Sequence, residues 1–213
     1  MPVSLSFADL APRDRYKLLV ATVVPRPIAL VTTVDRDGVV NAAPFSFFNV
    51  FSEDPAIVVL GLQHKEERAL KDTTRNIAET GTFVINLVDE ALAEAMNICA
   101  IDFPPGVSEV ESAGLTLRAG TEVAVPHILE APFALECRRT VGLSFGPERE
   151  IVLGEVVHFH ARDGLLDETT LRVSEEAYRP VGRLFANAYS RQSDRFDMVK
   201  ESHADWEARQ AKP

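Results

Sequence analysis

The chain is short of the features that mark several large functional classes. Its 213 residues include two cysteines, Cys99 and Cys137. Two are too few for a disulfide framework, and they do not form a Cys-x-x-Cys pair; a reducing cytoplasm suits such a chain best. There is no Gly-x-Gly-x-x-Gly and no Walker loop, so neither a Rossmann nor a P-loop nucleotide site is expected. The apolar run near the N-terminus, Leu18 to Val24, is far below the roughly 20 residues that a membrane span requires. Asp9 and Asp14 precede it and Pro25-Arg26-Pro27 ends it, which also makes a poor signal peptide. It reads as a helix or strand entering the domain. Positive charge is scarce: 22 Lys and Arg stand against 32 Asp and Glu, for a formal net charge of -10. Nucleic acid and anionic membrane are therefore poor partners, and any bound phosphate needs a locally positive pocket. No internal repeat and no low-complexity linker is visible.

What is present belongs to an ordinary globular protein, with 46% hydrophobic and 25% charged residues, enough to bury a substantial core. The chain is organised around Asn41-Ala-Ala-Pro-Phe-Ser-Phe-Phe-Asn49. Pro44 lacks an N–H and pushes Ala43 toward an extended backbone, and a fully paired central strand would not keep it. Two readings follow. One is an edge strand with a bulge; the other is a platform whose unpaired backbone and small Ala42 and Ala43 admit a flat aromatic ligand. Around this stretch, Ile28 to Val34 reads as a strand and Asp35-Arg-Asp-Gly38 as a turn, with the chain returning as one strand through Phe51. Ser52 to Pro55 breaks it. Ala56 to Leu62 is almost wholly apolar, as expected of a strand buried on both faces. Lys65 to Thr80 turns helical, with Asp72 or Thr73 as cap and Gly81 as stop. Thr82 to Val88 is a strand and Glu90 to Ile98 a helix, followed by a loop from Phe103. Phe133, Leu135, Cys137, Val141, Leu143 and Phe145 then alternate with polar residues. Ile151, Leu153, Val157 and Phe159 do so after a turn at Gly146, as expected of two long antiparallel strands. The sum is a mainly β chain, barrel or sandwich, with a few helices and a charged tail from Arg191 that carries Trp206.

Three motifs bear on chemistry. Gly142-Leu-Ser144-Phe-Gly146 matches a hydrolase nucleophile elbow, but the serine lies in an antiparallel strand rather than at a strand-to-helix turn, so the motif is rejected. His158 and His160 share one strand face and could hold a metal between them, but no third ligand lies near in sequence; a cleft-facing pair is the preferred reading, and no metal is assigned. Lys71-Asp72-Thr73-Thr74-Arg75-Asn76 opens a helix, whose free N–H groups and dipole favour an anion, with Lys71, Thr73, Thr74 and Asn76 adding donors. A plain capped surface helix accounts for the same residues. Arg26 is, on the same footing, a surface arginine between two prolines.

In order and spacing, Pro25-Arg-Pro-Ile-Ala29, the Asn41–Asn49 stretch, Lys71-Asp-Thr, Asn76-Ile77 and Phe83-Val-Ile-Asn-Leu87 resemble the flavin-reductase-like, FMN-binding split-barrel family. Leu135-Glu-Cys137, Gly154-Glu-Val156 and Arg183-Leu with Tyr189 extend the likeness over about residues 20 to 195. The resemblance implies a six-stranded Greek-key split barrel over residues 1–190, with residues 191–213 as an arm or helix. It implies a homodimer with FMN near the subunit interface. Ala42, Ala43, Pro44, Phe45, Ser46, Phe47 and Asn49 would line the flavin ring, and Lys71, Asp72, Thr73 and Asn76 would approach the phosphate. Arg26 and Tyr189 would complete the contacts. Such a protein transfers hydride from NAD(P)H to FMN, with a monooxygenase as the partner that uses the product; an electron carrier or flavin store is the alternative. Relatives often carry Gly-Gly after the late Arg-Leu, where this chain has Phe185-Ala186, a change that would narrow the site.

Overall fold

The computed structural model describes residues 2–64, 70–104, 107–146 and 148–210. Seven strands build one antiparallel sheet: β1 (Ala29–Val34), β2 (Val40–Phe45), β3 (Phe48–Glu53), β4 (Ala56–Gln63), β5 (Thr82–Leu87), β6 (Phe133–Ser144) and β7 (Arg149–Ala161). Their order is β2-β1-β5-β6-β7-β4-β3. Among the described residues the α-helices are α1 (Pro12–Thr22), α2 (Asp72–Thr80), α3 (Ala93–Ile98), α4 (Glu109–Ser112) and α5 (His203–Gln210). The mainly β class with flanking helices agrees with the sequence reading.

The strand count does not agree, and the reason locates the site. The stretch expected as one strand is two, β2 and β3, parted only by Ser46 and Phe47. These two strands are the opposite edges of the sheet. The sheet must therefore curl until its edges meet at Ser46–Phe47, where the Phe47 carbonyl accepts a 2.7 Å bond from Gly61 N–H on β4. Gly61 permits this approach, because a Cβ there would lie 2.9 Å from that of Phe47. Hydrogen bonding between strands does not run all the way round, so the barrel stays split beside β2.

The curl encloses one core and leaves a second outside it. Ala29 and Val31 point inward with Val58, Leu60, Phe83, Ile85, Cys137 and Val152. Ile28 and Leu30 point outward, with Ala42, beneath Leu92 and Met96 at α3. β1 is thus buried on both faces, and its continuous apolar sequence follows from that. β4 is not, although its sequence predicts it: Val58, Leu60 and Leu62 are buried, while the alternate residues stay partly exposed. The phase of β7 also differs from expectation. Val152 and Gly154 face the core rather than Ile151 and Leu153. Gly154 lies over Phe83, where a Cβ would sit 2.4 Å from the ring.

Local signals behaved more simply. Asp35 Oδ1 accepts from the N–H groups of Asp37 and Val39 and ties the β1–β2 turn. Gly81 ends α2 in the left-handed region, at φ 71°. Lys71, rather than Asp72 or Thr73, occupies the N-cap, and it makes no side-chain cap. Lys65 to Ala69, expected to begin this helix, lie outside the described residues. α5 carries Trp206 with no residue buried. No helix among the described residues is long and apolar enough to cross a membrane.

Candidate flavin site

The residues at the split frame two adjoining cavities. Pro44, Phe45 and Ser46, with Tyr16 of α1, line both. β2 pairs with β1 alone, so its other edge keeps unpaired backbone groups, as the proline suggested. The larger cavity, about 560 Å³, lies between that edge, α1, α3 and the late hairpin Val181–Arg183 with Tyr189–Arg191. Its lining includes Arg13, Lys17, Arg26 and Arg183 and no carboxylate. In a chain of net charge -10, that is a local reversal of sign. The second cavity, about 410 Å³, runs past Phe47 and Gln63 to Lys71 and Arg149.

Arg26 is not the surface residue its prolines suggested: it is 8% exposed. Its Nη1 donates to the carbonyls of Val20 (2.6 Å) and Val23 (3.0 Å), and its Nη2 donates to that of Leu184 (2.9 Å). Nε reaches Ser46 Oγ at 3.4 Å. Arg26 and Arg183 also exchange backbone hydrogen bonds of 3.0 and 2.8 Å. One guanidinium thus clips the end of α1, the late hairpin and the β2–β3 passage together. Burial holds its pKa below the ordinary value.

The expected phosphate group of residues divides. Lys71 lines the second cavity. Thr73, Thr74 and Asn76 are 1–3% exposed and turn toward the sheet. Thr73 Oγ1 accepts from Asn41 Nδ2 at 2.9 Å, and Asn76 Nδ2 donates to Thr33 Oγ1 at 3.1 Å. These residues fasten α2 to β1 and β2. Asp72 is partly exposed and pairs with Arg75 at 2.6 Å. Ala42 is fully buried beneath α3 rather than open to a ligand, whereas Ala43 is partly exposed. Asn49 is exposed on β3, its Oδ1 accepting from Val50 N–H. Tyr189 lies under the Arg183 guanidinium, 4.5 Å from ring centre to Cζ, and Arg183 Nη2 donates to the Ala186 carbonyl. Phe185 and Ala186 line the larger cavity.

The fold, with its split beside a cationic cavity, is that of a known family. The sequence signature of the flavin reductase like domain matches residues 21–182. The chain belongs to that family. It is similar to Pseudomonas fluorescens 2-nitrobenzoate 2-nitroreductase NbaA, at 39% identity and TM-score 0.87, covering 94% of this chain and 98% of that one. Nitrilotriacetate monooxygenase component B from Bacillus cereus matches at 33% identity and TM-score 0.87, covering 93% and 99%. An uncharacterised Halalkalibacterium halodurans protein is 40% identical over 195 residues, 89% of this chain and 92% of its own length.

Several lining residues of this flavin-reductase-like chain had no sequence signal. Arg13, Tyr16 and Lys17 come from a helix read only as an apolar run, and Met96, Asn97 and Ala100 from the end of α3. Gln63 lies one residue past the strand expected over Ala56–Leu62, and Arg149 belongs to what the sequence offers as a turn; both are strand ends that line the second cavity.

Proposed function

We propose that the protein binds FMN along the open edge of β2 and reduces it with hydride from NAD(P)H. The observation that carries this reading is the pair of cavities meeting at Pro44–Phe45–Ser46, one of them lined by four cations and no acid. A flavin fits these residues. The unpaired backbone of β2 offers hydrogen-bonding groups to the polar edge of a ring, while Phe45, Phe47 and Tyr16 offer apolar cover. Lys71 and Arg149, which line the second cavity together with Glu150, would meet the phosphate through charge-assisted hydrogen bonds of about 1.5–3 kcal/mol each. When bound, the flavin supplies the hydride-accepting chemistry, and the protein supplies position. That division explains why no acid–base pair is needed in the cavity. The larger cavity takes the nicotinamide donor: Arg13, Lys17 and Arg183 face its diphosphate, and stacking against the flavin aligns the two rings without a dinucleotide fold.

The subunits form a homodimer. Val50 and Phe51 on β3, Leu143 on β6 and the adjacent Phe145 are 46–77% exposed, an apolar surface at the split that a second copy would cover. The likeness to a monooxygenase component B supports a monooxygenase as consumer of the reduced flavin. Light scattering should give a particle of twice 23.4 kDa. Anaerobic stopped-flow mixing of the FMN-loaded protein with NADH or NADPH should bleach the absorbance near about 450 nm, a property of the cofactor. Deuterium on the transferred position should slow the bleaching. An FMN-loaded protein that neither donor bleaches would be an electron carrier or flavin store instead.

A further inference from the structure

Away from both cavities, three of the five histidines converge on one buried glutamate. Glu136 on β6 stands opposite His158 on β7, and His160 follows on the same face. One ligand atom from each of Glu136, His158 and His160 can be chosen so that all three lie within 4.8 Å of one another. His127, from the two-residue ladder it forms with Leu117–Arg118, stacks on His160 with ring centroids 4.0 Å apart. It is 5% exposed, and its Nδ1 is buried with no hydrogen-bond partner. A buried polar atom left unpaired ordinarily costs about 1–3 kcal/mol, so this one signals an absent partner.

We propose that Glu136, His158 and His160 bind a divalent transition-metal ion, and that His127 Nδ1 is completed by a water on that ion. The donors are imidazole nitrogens and a carboxylate oxygen; the neighbouring Cys137 points into the barrel core. Such a set suits Zn²⁺ or Co²⁺ over thiophilic ions. Glu136 is prepared for the task. Its Oε1 accepts from Thr121 N–H at 2.7 Å, and its Oε2 from Glu122 and Val123 N–H at 2.7 and 2.9 Å. These bonds fix the carboxylate as an outer shell fixes a metal ligand. The fourth contact, 2.6 Å to His160 Nε2, holds a proton between the two groups. Ligands about 2.0–2.1 Å from a tetrahedral ion sit about 3.3 Å apart, so this pair must open by about 0.7 Å. The ion takes the place of that proton, and the His160 ring then carries its N–H on Nδ1. Solvent reaches the site through the partly exposed His158 and His160.

The test uses the full chain, free of any histidine tag and stripped with a chelator, and calorimetric titration with Zn²⁺. One ion per chain should bind, and Co²⁺ should give the visible bands of a nitrogen–oxygen site. His158→Ala should weaken Zn²⁺ by at least about tenfold. His203→Ala, on the exposed α5, should change nothing. Neither variant touches the bonds that hold Glu136 in place, so both should fold. Absence of stoichiometric binding overturns the proposal, and so does binding that survives His158→Ala or that His203→Ala abolishes.

Discussion

Glu136 and the cations of the larger cavity are two ways of placing charge in one sheet. The glutamate is fully buried, and three backbone N–H groups and His160 already satisfy it. At the split, Arg26 is spent wholly on the protein, Arg183 gives one donor to the Ala186 carbonyl and Lys17 pairs with Asp14, while Lys71 lines the second cavity. Folding fixes the first arrangement, and a bound ion would replace only its contact with His160. The second gathers Arg13, Lys17, Arg26 and Arg183 around one cavity; among the described residues only Lys17 of these pairs with a carboxylate, Asp14, a cost that an anionic ligand would offset. Where the chain satisfies its own charge, substitution should be felt in stability; where it does not, in binding.

The sharpest way to break this contrast is Glu136→Ala. It strands three N–H groups and a histidine in the interior and should cost about 3 kcal/mol or more, read as a lower urea midpoint. A loss below about 1 kcal/mol would show that the loop at Thr121–Val123 does not depend on the carboxylate. Acid titration probes the same group without removing it. Burial raises the Glu136 pKa, but its four hydrogen bonds outweigh burial and hold it at about 2, against an ordinary 4.5. A depressed carboxylate stabilises the fold above its unfolded pKa and loses that contribution as pH falls through the folded one. Between pH 4.5 and 2 the wild type should therefore lose roughly 3 kcal/mol that Glu136→Gln does not lose, measured by urea unfolding at each pH.

On the other side of the comparison, Lys71→Ala should weaken FMN about tenfold, or about 1.4 kcal/mol, and leave riboflavin nearly unchanged, since riboflavin has no phosphate. Fluorescence titration with both ligands decides it, and equal losses would move the phosphate away from Lys71. Thr73→Ala should act differently from Lys71→Ala: its hydroxyl meets Asn41, so stability should fall by about 1 kcal/mol. The smallest effect is expected at Ala186, which sits at φ 52°, in the left-handed region that a Cβ disfavours. Ala186→Gly should raise stability by roughly 0.5–1 kcal/mol by relieving that strain. It should also widen the larger cavity, seen as a lower KM for the nicotinamide donor.

Much of the fold was legible because local rules decided it. The apolar runs of β1 and β5, the Asp35–Gly38 turn and the Gly81 stop each follow from residues within one element. Pro44 announced an edge strand by chemistry alone, since a missing N–H is a property of the residue wherever it lies. The sequence could not say that Phe45 and Phe48, three residues apart, belong to opposite edges of one curled sheet, because that depends on how far the other five strands wrap. Nor could it show that Thr73 and Asn76 face β1 and β2 while Lys71 faces a cavity: helical spacing sorts residues into faces, but packing chooses which face is covered. Glu136, flanked by Leu135 and Cys137, looked like the polar side of an alternating strand. Only the cross-strand register with His158, and a loop some fifteen residues earlier in the chain, made it the most thoroughly bonded carboxylate in the described structure. Composition and pattern determined which residues prefer strand, turn and core. Charge placement at a site depends on contacts between residues far apart in sequence, and the tertiary structure alone decided it.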